Sequence, residues 1–381
     1  MRPKSGLPKR KAVRSQPVFK FGFRDNPATA AYRHPGLTSD SSKSHFSVLS
    51  MFCGCGGLDL GLMGGFHFLG KTYKALPLRV IDAIDNDEKA IAAYRLNLGD
   101  HGRTGDLTTI DAANLEAADV LAGGFPCQDF SSSGPKVGLS GKRGKLYLAM
   151  VEYMQAHRPA VVVGENVPHL QRLDGGRHIR KILQDLEAVG YRFEVWELFA
   201  PEYGLPQSRR RLILVGVRND LPGFPRRPKR THVGNFVPID HALADLEGTL
   251  DESVTNQSQY FVASRATAGG GQGDHTNRRG EVAYCIRANA KARIQFHYSL
   301  ERRLTVRECA RLQSFPDEFV FPFAAMTNMS LIGNAVPPLL GWVVGTQIAE
   351  YLNRLKTTAG QAELAAEADE ILQGTLFATR S

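Results

Sequence analysis

The sequence predicts an α/β fold: a doubly wound, mainly parallel sheet with a second, smaller and irregular domain. Between Phe46 and Arg218, short apolar runs typical of buried strands alternate with segments whose apolar residues have helical spacing. Such alternation is typical of a parallel sheet covered by helices. After Arg218 it stops, and a Pro- and Arg-rich stretch leads into polar sequence with short strand-like pieces.

The elements follow in order along the chain. Strands are predicted over 46–52, 80–84, 118–122, 160–163, 193–199 and 212–217. Helical spacing predicts helices over 89–97, 146–154 and 179–189. Thr305 and Glu308 have capping-box spacing at the start of a short helix through Leu312. Residues 339–355 are an apolar helix that can return to the first domain.

Positive charge is concentrated at the N-terminus. Of the net charge of +9, most lies in the first 45 residues, which hold ten Lys and Arg against two acids. We interpret 1–45 as a disordered basic arm, 46–235 plus 323–355 as the sheet domain, 236–322 as the second domain, and 356–381 as a tail, either a peripheral helix or disordered. Further basic runs at 209–211 and 226–230 suit nucleic acid better than a uniformly basic surface would.

The composition excludes several classes of protein. Hydrophobic residues make up 43% and charged residues 22%, as in ordinary globular proteins. We find no apolar run long enough to span a bilayer and no secretory leader. Five cysteines are few and odd in number, which favours a reducing, cytoplasmic compartment over a disulfide framework.

The first strand ends in a Gly-rich turn that contains Gly54, Gly56 and Gly57. Glycines let a cofactor approach the backbone closely, although a tight strand–helix turn would use them equally. The dinucleotide fingerprint is broken, because no third glycine falls three positions after Gly56. Cys53 and Cys55 have no second Cys/His pair at zinc spacing, so no metal site is predicted.

Acids follow two further strands. Asp85 ends the second predicted strand, where nucleoside-binding sheets hold ribose hydroxyls, and Asp87 fits an N-cap for the next helix. Asp106 lies in a tight turn, which could equally be an ordinary surface turn. Three such sites in order along a doubly wound sheet indicate an adenosine-like cofactor.

A thiol and a carboxylate follow the next two strands. Cys127 lies among Gly, Pro and Ser, which favours an accessible loop over a buried structural cysteine. Glu165 comes directly after an apolar run. Because ligands bind at the carboxyl ends of the strands, this pair could add sulfur to an electron-poor ring and protonate the ring.

Five motifs occur in an order that resembles the bacterial DNA cytosine-C5 methyltransferases. They are Gly-Phe-Pro-Cys-Gln at 124–128, Glu-Asn-Val at 165–167, Gln-Ser-Arg-Arg-Arg at 207–211, Arg-Glu-Cys-Ala-Arg at 307–311 and Gly-Asn-Ala-Val-Pro-Pro at 333–338. The resemblance covers about Phe46 to Leu352. It implies a Rossmann-like, S-adenosylmethionine-dependent enzyme of the type found in restriction-modification systems.

The resemblance also implies roles for individual residues. The implied catalytic residues are Cys127 as nucleophile, Glu165 as the acid that contacts cytosine, and Arg209 and Arg211 near the base. The implied cofactor-binding residues are Phe52, Gly54, Gly56, Gly57, Asp85, Asp106, Phe125 and Asn334. The expected DNA-binding residues are Gln207, Arg265, Arg287 and Arg293, the last three in a target-recognition domain at 236–322. No metal is expected.

The implied reaction adds the Cys127 thiolate to C6 of a cytosine that has left the duplex, so that C5 can accept the methyl group. The implied partners are double-stranded DNA and, functionally, a cognate restriction endonuclease, with the enzyme a monomer in the bacterial cytoplasm near the nucleoid.

Other classes of protein remain open from the sequence. A transfer-RNA cytosine methyltransferase of the same family would keep these motifs, but the Cys-Phe-Thr tripeptide typical of its recognition region is absent. A non-catalytic DNA-binding relative is disfavoured because Cys127, Glu165 and Arg211 occur together. A nicotinamide oxidoreductase is disfavoured by the broken glycine fingerprint.

Overall fold

The computed structural model describes residues 45–125, 146–247, 274–289 and 294–378, with side chains to residue 368. Its strands are β1 Phe46–Met51, β2 Phe66–Phe68, β3 Lys71–Tyr73, β4 Leu78–Asp85, β5 Gly102–Thr104, β6 Val120–Gly123, β7 Val161–Asn166, β8 Tyr191–Phe199, β9 Arg210–Arg218, β10 His275–Thr276 and β11 Gln295–Phe296. Its helices are α1 Gly57–Met63, α2 Glu88–Leu98, α3 Leu148–His157, α4 His169–Arg172, α5 Arg177–Glu187, α6 Ile239–Leu243, α7 Val306–Leu312, α8 Ala325–Asn334, α9 Pro338–Leu355 and α10 Thr358–Ala378.

A seven-stranded sheet has the order β5-β4-β1-β6-β7-β9-β8. The first five strands in this order are parallel, whereas β9 is antiparallel to both of its neighbours. The predicted doubly wound, mainly parallel sheet is therefore confirmed. Because β9 is reversed, its first residues lie at the same edge as the carboxyl ends of the parallel strands.

Helices cover both faces of the sheet. Val48 belongs to a core cluster with residues of α1 and α9, while its neighbour Leu49 belongs to a second cluster with residues of α3 and α5. Successive strand residues point to opposite faces. The apolar runs noted in the sequence are thus strands that are buried on both sides.

Two helix starts confirm local predictions. The Asp87 side chain accepts hydrogen bonds from the backbone N–H groups of Lys89 and Ala90 at the start of α2. Thr305 and Glu308 form the reciprocal capping box of α7. The three-residue strands β2, β3 and β5 were not predicted, because segments of that length have no readable periodicity.

The region predicted as the second domain has little regular structure in its described part. It contains α6, the two-residue strands β10 and β11, and α7. A parallel bridge joins Gln207 to Ala283 and so connects this region to the segment before β9. The tail forms α10, in agreement with the helical interpretation of the sequence, and its Leu364 is fully buried.

One described segment could cross a membrane by length and composition alone, contrary to our sequence prediction. It is Ala325–Leu355, which spans α8 and α9. Its most apolar window is 72% buried inside the fold, and α9 packs against α1 beside the sheet. This burial accounts for its apolar composition as core packing.

Candidate active site

A cavity of about 360 Å³ lies at the carboxyl edge of the sheet. That volume is within the range typical of small-ligand sites. Its walls come from the ends of β1, β4, β6 and β7, the start of β9 and the end of α8. The predicted site residues that line it are Phe52, Gly54, Asp85, Asp106, Phe125, Glu165, Arg211 and Asn334.

Other predicted site residues lie elsewhere. Gly56, Gly57, Gln207, Arg209 and Arg287 do not line this cavity. Cys127, Arg265 and Arg293 are outside the described residues. Among the residues that the structure does describe, no group of three His, Cys, Asp or Glu side chains could hold a metal ion.

The turn after β1 shapes one end of the cavity. Phe52 has a φ of 55°, a left-handed conformation that is uncommon for a bulky residue and costs energy. Gly54 follows with a φ of 56°, and a Cβ at this position would have no atom within 4 Å. The Gly54 backbone therefore borders open space in the cavity, where a ligand can approach closely.

The next two glycines are required by packing. Gly56 has a φ of 90°, and a Cβ there would lie 2.3 Å from Cδ1 of Leu98. A Cβ on Gly57 would lie 2.3 Å from the carbonyl oxygen of Val336. These positions hold α1 against α2 and against the segment before α9, so they support the cavity without lining it.

Asp85 is half-buried at the end of β4. It accepts hydrogen bonds from Gly54 N–H (2.8 Å) and Asp87 N–H (2.9 Å), one on each carboxylate oxygen. Burial raises the pKa of Asp85, and these backbone donors oppose the increase. Each carboxylate oxygen can accept a second hydrogen bond, so Asp85 retains capacity for ligand hydroxyl groups.

Asp106 and Asn334 are exposed on other parts of the cavity wall. The backbone N–H and hydroxyl groups of Thr108 both donate to Asp106, and they lower its pKa. The carboxylate is thus held ionised and aimed by a tight turn. Together with Asp85 and the apolar Phe52 and Leu107, these hydrogen-bond acceptors fit a nucleoside whose ribose hydroxyls and exocyclic amine donate.

Glu165 and Arg211 form an ion pair in the cavity wall. The distance between Arg211 Nε and Glu165 Oε1 is 2.6 Å, and each side chain is only 12% exposed. Glu165 is near the carboxyl end of β7, and Arg211 is near the start of the antiparallel β9. The pair presents an acid and a fixed cation side by side, an arrangement that can bind a polar ring through complementary hydrogen bonds.

Asn166 is a functional candidate that our sequence reasoning missed. Its side chain is 2% exposed and donates to the carbonyl oxygen of Phe125 at 3.1 Å, while its own amide oxygen accepts from Val167 N–H. Phe125 is the last described residue before the segment that contains Cys127. The signal was present in the sequence, since Asn166 belongs to the Glu-Asn-Val motif, but its partner is 41 residues away.

Arg209 points into the protein. Its guanidinium is 1% exposed and donates to the carbonyl oxygens of Ile286 (2.8 Å), Gly333 (3.0 Å) and Ala335 (2.8 Å). Burial lowers the pKa of Arg209 to about 10, and the charge of Arg211 acts in the same direction. Arg209 therefore braces the segment that carries Asn334 against the second region, at a distance from the cavity interior.

Gln207 is also buried. Its amide donates to the Leu312 carbonyl (2.7 Å) and to the Gln313 side chain (2.6 Å), and its oxygen accepts from Ile286 N–H. Arg287 is exposed, so of these predicted DNA contacts it alone presents its side chain to solvent among the described residues. Gln207 belongs to the same internal brace as Arg209.

The cysteines of the first turn are not candidates for nucleophiles. Cys53 and Cys55 are buried, and burial raises the pKa of both thiols, that of Cys55 to about 12. A thiol in such surroundings stays protonated and inert.

A mostly parallel seven-stranded sheet with a ligand cavity at its carboxyl edge is the fold of the Rossmann-like methyltransferases. The chain belongs to the C-5 cytosine-specific DNA methylases, whose family model matches residues 46–274 and 264–350. The resemblance seen in the sequence is confirmed: the protein is a DNA cytosine-5 methyltransferase.

Two curated relatives are Type II methyltransferases. The chain is 32% identical to M.NgoFVII of Neisseria gonorrhoeae, over 79% of this chain and 85% of that protein. It is 31% identical to M.BspRI of Lysinibacillus sphaericus, over 80% of this chain and 82% of that protein.

Solved structures share the fold at lower identity. The S. pombe Dnmt2 methyltransferase has a TM-score of 0.60 at 20% identity, covering 81% of this chain and all of that one. The Entamoeba histolytica methyltransferase EhMeth has a TM-score of 0.61 at 16% identity, and the match covers 81% of this chain and 99% of that one.

Proposed function

We propose that this methyltransferase acts within a specific sequence of double-stranded DNA, on a cytosine that has rotated out of the helix and is bonded transiently to Cys127. The observation that carries the proposal is the Glu165–Arg211 pair, which lies in the wall of the same cavity as Asp85 and Asp106. A pair suited to a base and two carboxylate acceptors suited to a nucleoside thus share one cavity.

The cofactor proposed for this cavity is S-adenosylmethionine, which supplies an electrophilic methyl group when bound. Asp85 would hold the ribose hydroxyls, and Asp106 would accept a hydrogen bond from the adenine amine. The open backbone at Gly54 gives room for close approach. Phe52 and Phe125 provide apolar walls, and Asn334 closes the cavity at the end of α8.

The target base would lie against Glu165 and Arg211. In this arrangement Glu165 faces N3 and the N4 amine of cytosine, and Arg211 donates to O2, where negative charge develops. The Cys127 thiolate adds to C6 while Glu165 places a proton on N3, so that electron density gathers at C5. C5 would then take the methyl group as the bond between the methyl carbon and the sulfur of the donor breaks. A base afterwards takes the C5 proton, and Cys127 leaves as thiolate. The C5–C6 double bond is thereby restored, and N3 returns its proton to Glu165.

The roles of Arg209 and Gln207 in this proposal are positional. Both hold the backbone around Ile286 in place, and Arg209 also holds the loop at Gly333 and Ala335. We infer that they keep the cofactor wall in register with the region that meets DNA. Arg265, Arg287 and Arg293 remain proposed DNA contacts within a recognition domain at 236–322.

The Type II relatives support a proposal about the cellular setting. We infer that the enzyme works as a monomer in the bacterial cytoplasm, on nucleoid DNA, and protects its recognition sequence from a cognate restriction endonuclease. Bisulfite sequencing of DNA from cells that express the chain would show the methylated base and its sequence context together.

The covalent step has a direct test. In the presence of the methyl donor, duplex DNA that carries 5-fluorocytosine at the modified position should form a complex with the enzyme that survives denaturation. After methyl transfer, C5 carries fluorine in place of the proton that a base would remove, so Cys127 cannot leave. Cys127→Ser should form none. A folded enzyme that methylates ordinary DNA but never becomes cross-linked would contradict the covalent mechanism, and labelled methyl on transfer RNA instead of DNA would contradict the substrate.

A further inference from the structure

The two basic runs noted in the sequence meet at one surface. Arg210 from the first run and Arg227, Lys229 and Arg230 from the second line an open cavity of about 490 Å³. We call this surface the basic cavity. Its remaining lining residues are Glu197, Phe199, Glu202 and Pro228. It shares no lining residue with the candidate active site.

Hydrogen bonds to two backbone carbonyl groups and a cation–ring contact fix the shape of the basic cavity. Arg227 donates to the carbonyl oxygen of Glu197 at 2.7 Å, which ties the second run to the end of β8. The backbone N–H groups of Thr231 and His232 both donate to the carbonyl oxygen of Glu202 at 2.9 Å. Arg210 lies over the ring of Phe199, 4.0 Å from its centroid. The cations are thus presented by a braced segment.

Cations outnumber acids in the basic cavity by four to two. Arg210 pairs with Glu197 at 3.4 Å and Arg230 with Glu202 at 3.3 Å, and these arginine side chains remain 52% and 61% exposed. Lys229 is exposed, and no described acid lies within ion-pair distance of it. Exposed pairs of this kind are weak, so the arginines remain available to another anion.

The basic cavity lies next to the active site. Because β9 is antiparallel to both β7 and β8, the carboxyl end of β8 is at the same edge of the sheet as Glu165. Arg210 pairs with Phe199 there, and the next residue, Arg211, pairs with Glu165. Consecutive strand residues point to opposite faces. A duplex lying across this edge would therefore meet both faces of β9.

We propose that the basic cavity binds backbone phosphates of the duplex that flanks the target cytosine, outside the recognition region at 236–322. This inference rests on duplex DNA being the substrate. Arginine and lysine donors are the usual partners of DNA phosphates, and each phosphate they neutralise makes binding more dependent on salt.

The test compares salt dependence in matched variants. Lys229→Gln/Arg230→Gln removes two cations from the basic cavity. Arg177→Gln/Arg180→Gln removes two exposed cations of α5 outside it and changes the net charge equally. Binding to a mixed-sequence duplex of about 40 base pairs is measured over a series of salt concentrations. The slope of log K against log salt is negative, and each lost phosphate contact reduces its absolute value by about 0.9. We expect a decrease of about 1.8 for the first variant and none for the second.

A third variant makes the basic cavity more positive instead of less. Glu202→Gln removes an acid that competes for Arg230, so it should tighten binding at low salt. An unchanged slope in the Lys229 and Arg230 variant, or an equal decrease in its charge-matched control, would overturn the proposal. Methyl transfer by the wild-type enzyme to double-stranded DNA tests the proposed function separately. If the wild type methylates DNA and the salt slopes of the variants do not differ, only the proposal about the basic cavity fails.

Discussion

The side-chain amide of Asn166 donates to the carbonyl oxygen of Phe125 at 3.1 Å and so joins the two strand ends that carry the acid and the predicted nucleophile. Asn166 ends β7 directly after Glu165, and Phe125 precedes Cys127 by two residues in the chain. Because the bond is buried, water does not compete for it. It fixes the position of Phe125 relative to the end of β7.

Replacing Asn166 by Ala should slow methyl transfer and leave cofactor binding nearly unchanged. Without the amide, the Phe125 carbonyl loses this hydrogen bond, and the end of β6 that leads to Cys127 is no longer tied to β7. Misplacement by about 1 Å can lower a rate by roughly 100-fold, so we expect a loss in kcat of that order. Asn219→Ala, in the exposed turn after β9, is the control. A normal kcat in Asn166→Ala would contradict this role.

Glu165→Gln should lower turnover far more than it lowers cofactor affinity. Gln can still accept a hydrogen bond from Arg211, but it cannot deliver a proton to the ring. General acid catalysis contributes about 10²–10⁴-fold, which sets the expected loss in kcat. Titration with S-adenosylhomocysteine measures cofactor affinity, and Glu187→Gln, at the exposed end of α5, is the control. Equal losses in kcat and affinity would refute the assignment.

Arg209→Met should weaken cofactor binding indirectly, because Arg209 holds the backbone on both sides of Asn334 and does not itself line the cavity. The substitution leaves the carbonyls of Ile286, Gly333 and Ala335 without their buried donor, at about 1–3 kcal/mol each, partly offset because a buried charge is removed. We expect a lower melting temperature and a roughly tenfold weaker affinity for S-adenosylhomocysteine.

The control for Arg209 is Arg177→Met, at an exposed and ion-paired arginine of α5. Arg209→Lys provides a second measurement, because it keeps the charge but loses the planar fork. We expect partial recovery of the melting temperature and of cofactor affinity. If Arg209→Met binds the cofactor normally at a temperature where it is folded, the brace does not support the cofactor wall.

Because of Asp59, the free energy of unfolding should decrease as the pH rises from about 4 to about 6. It is fully buried and accepts hydrogen bonds from the hydroxyls of Ser50 (2.7 Å) and Tyr94 (2.9 Å), and burial raises its pKa from 3.8 to about 6. The folded state therefore holds a proton that the unfolded state has released in this range. A shift of this size corresponds to about 3 kcal/mol.

Asp59→Asn removes this proton linkage. Its free energy of unfolding, relative to that of the wild type, should increase between about pH 4 and pH 6 and then remain level. His101, which contacts Tyr94, is present in both proteins, so the difference isolates Asp59. Urea titrations over this pH range measure it, with Asp100→Asn as an exposed control. A difference independent of pH would show that Asp59 is not protonated in the folded state.

Much of the fold could be predicted from short-range pattern. The apolar runs at 118–122 and 160–163 correspond to β6 and β7, and the helix starts at Asp87 and Thr305 follow from capping chemistry within four residues. The very short β5 and the reversed direction of β9 could not be predicted, because strand direction is decided by pairing with distant residues and not by local periodicity.

The glycines and arginines of the motifs show the difference between what the sequence by itself determined and what only the tertiary structure decided. The sequence determined the order of strands and helices, the family, and the residue types at the strand ends. Only the structure decided that Gly54 faces a cavity while Gly56 packs, and that Arg209 points inward, Arg210 outward and Arg211 toward Glu165. The physical reason is that a residue's chemistry is local, whereas its surroundings come from segments far away in the chain that folding brings together.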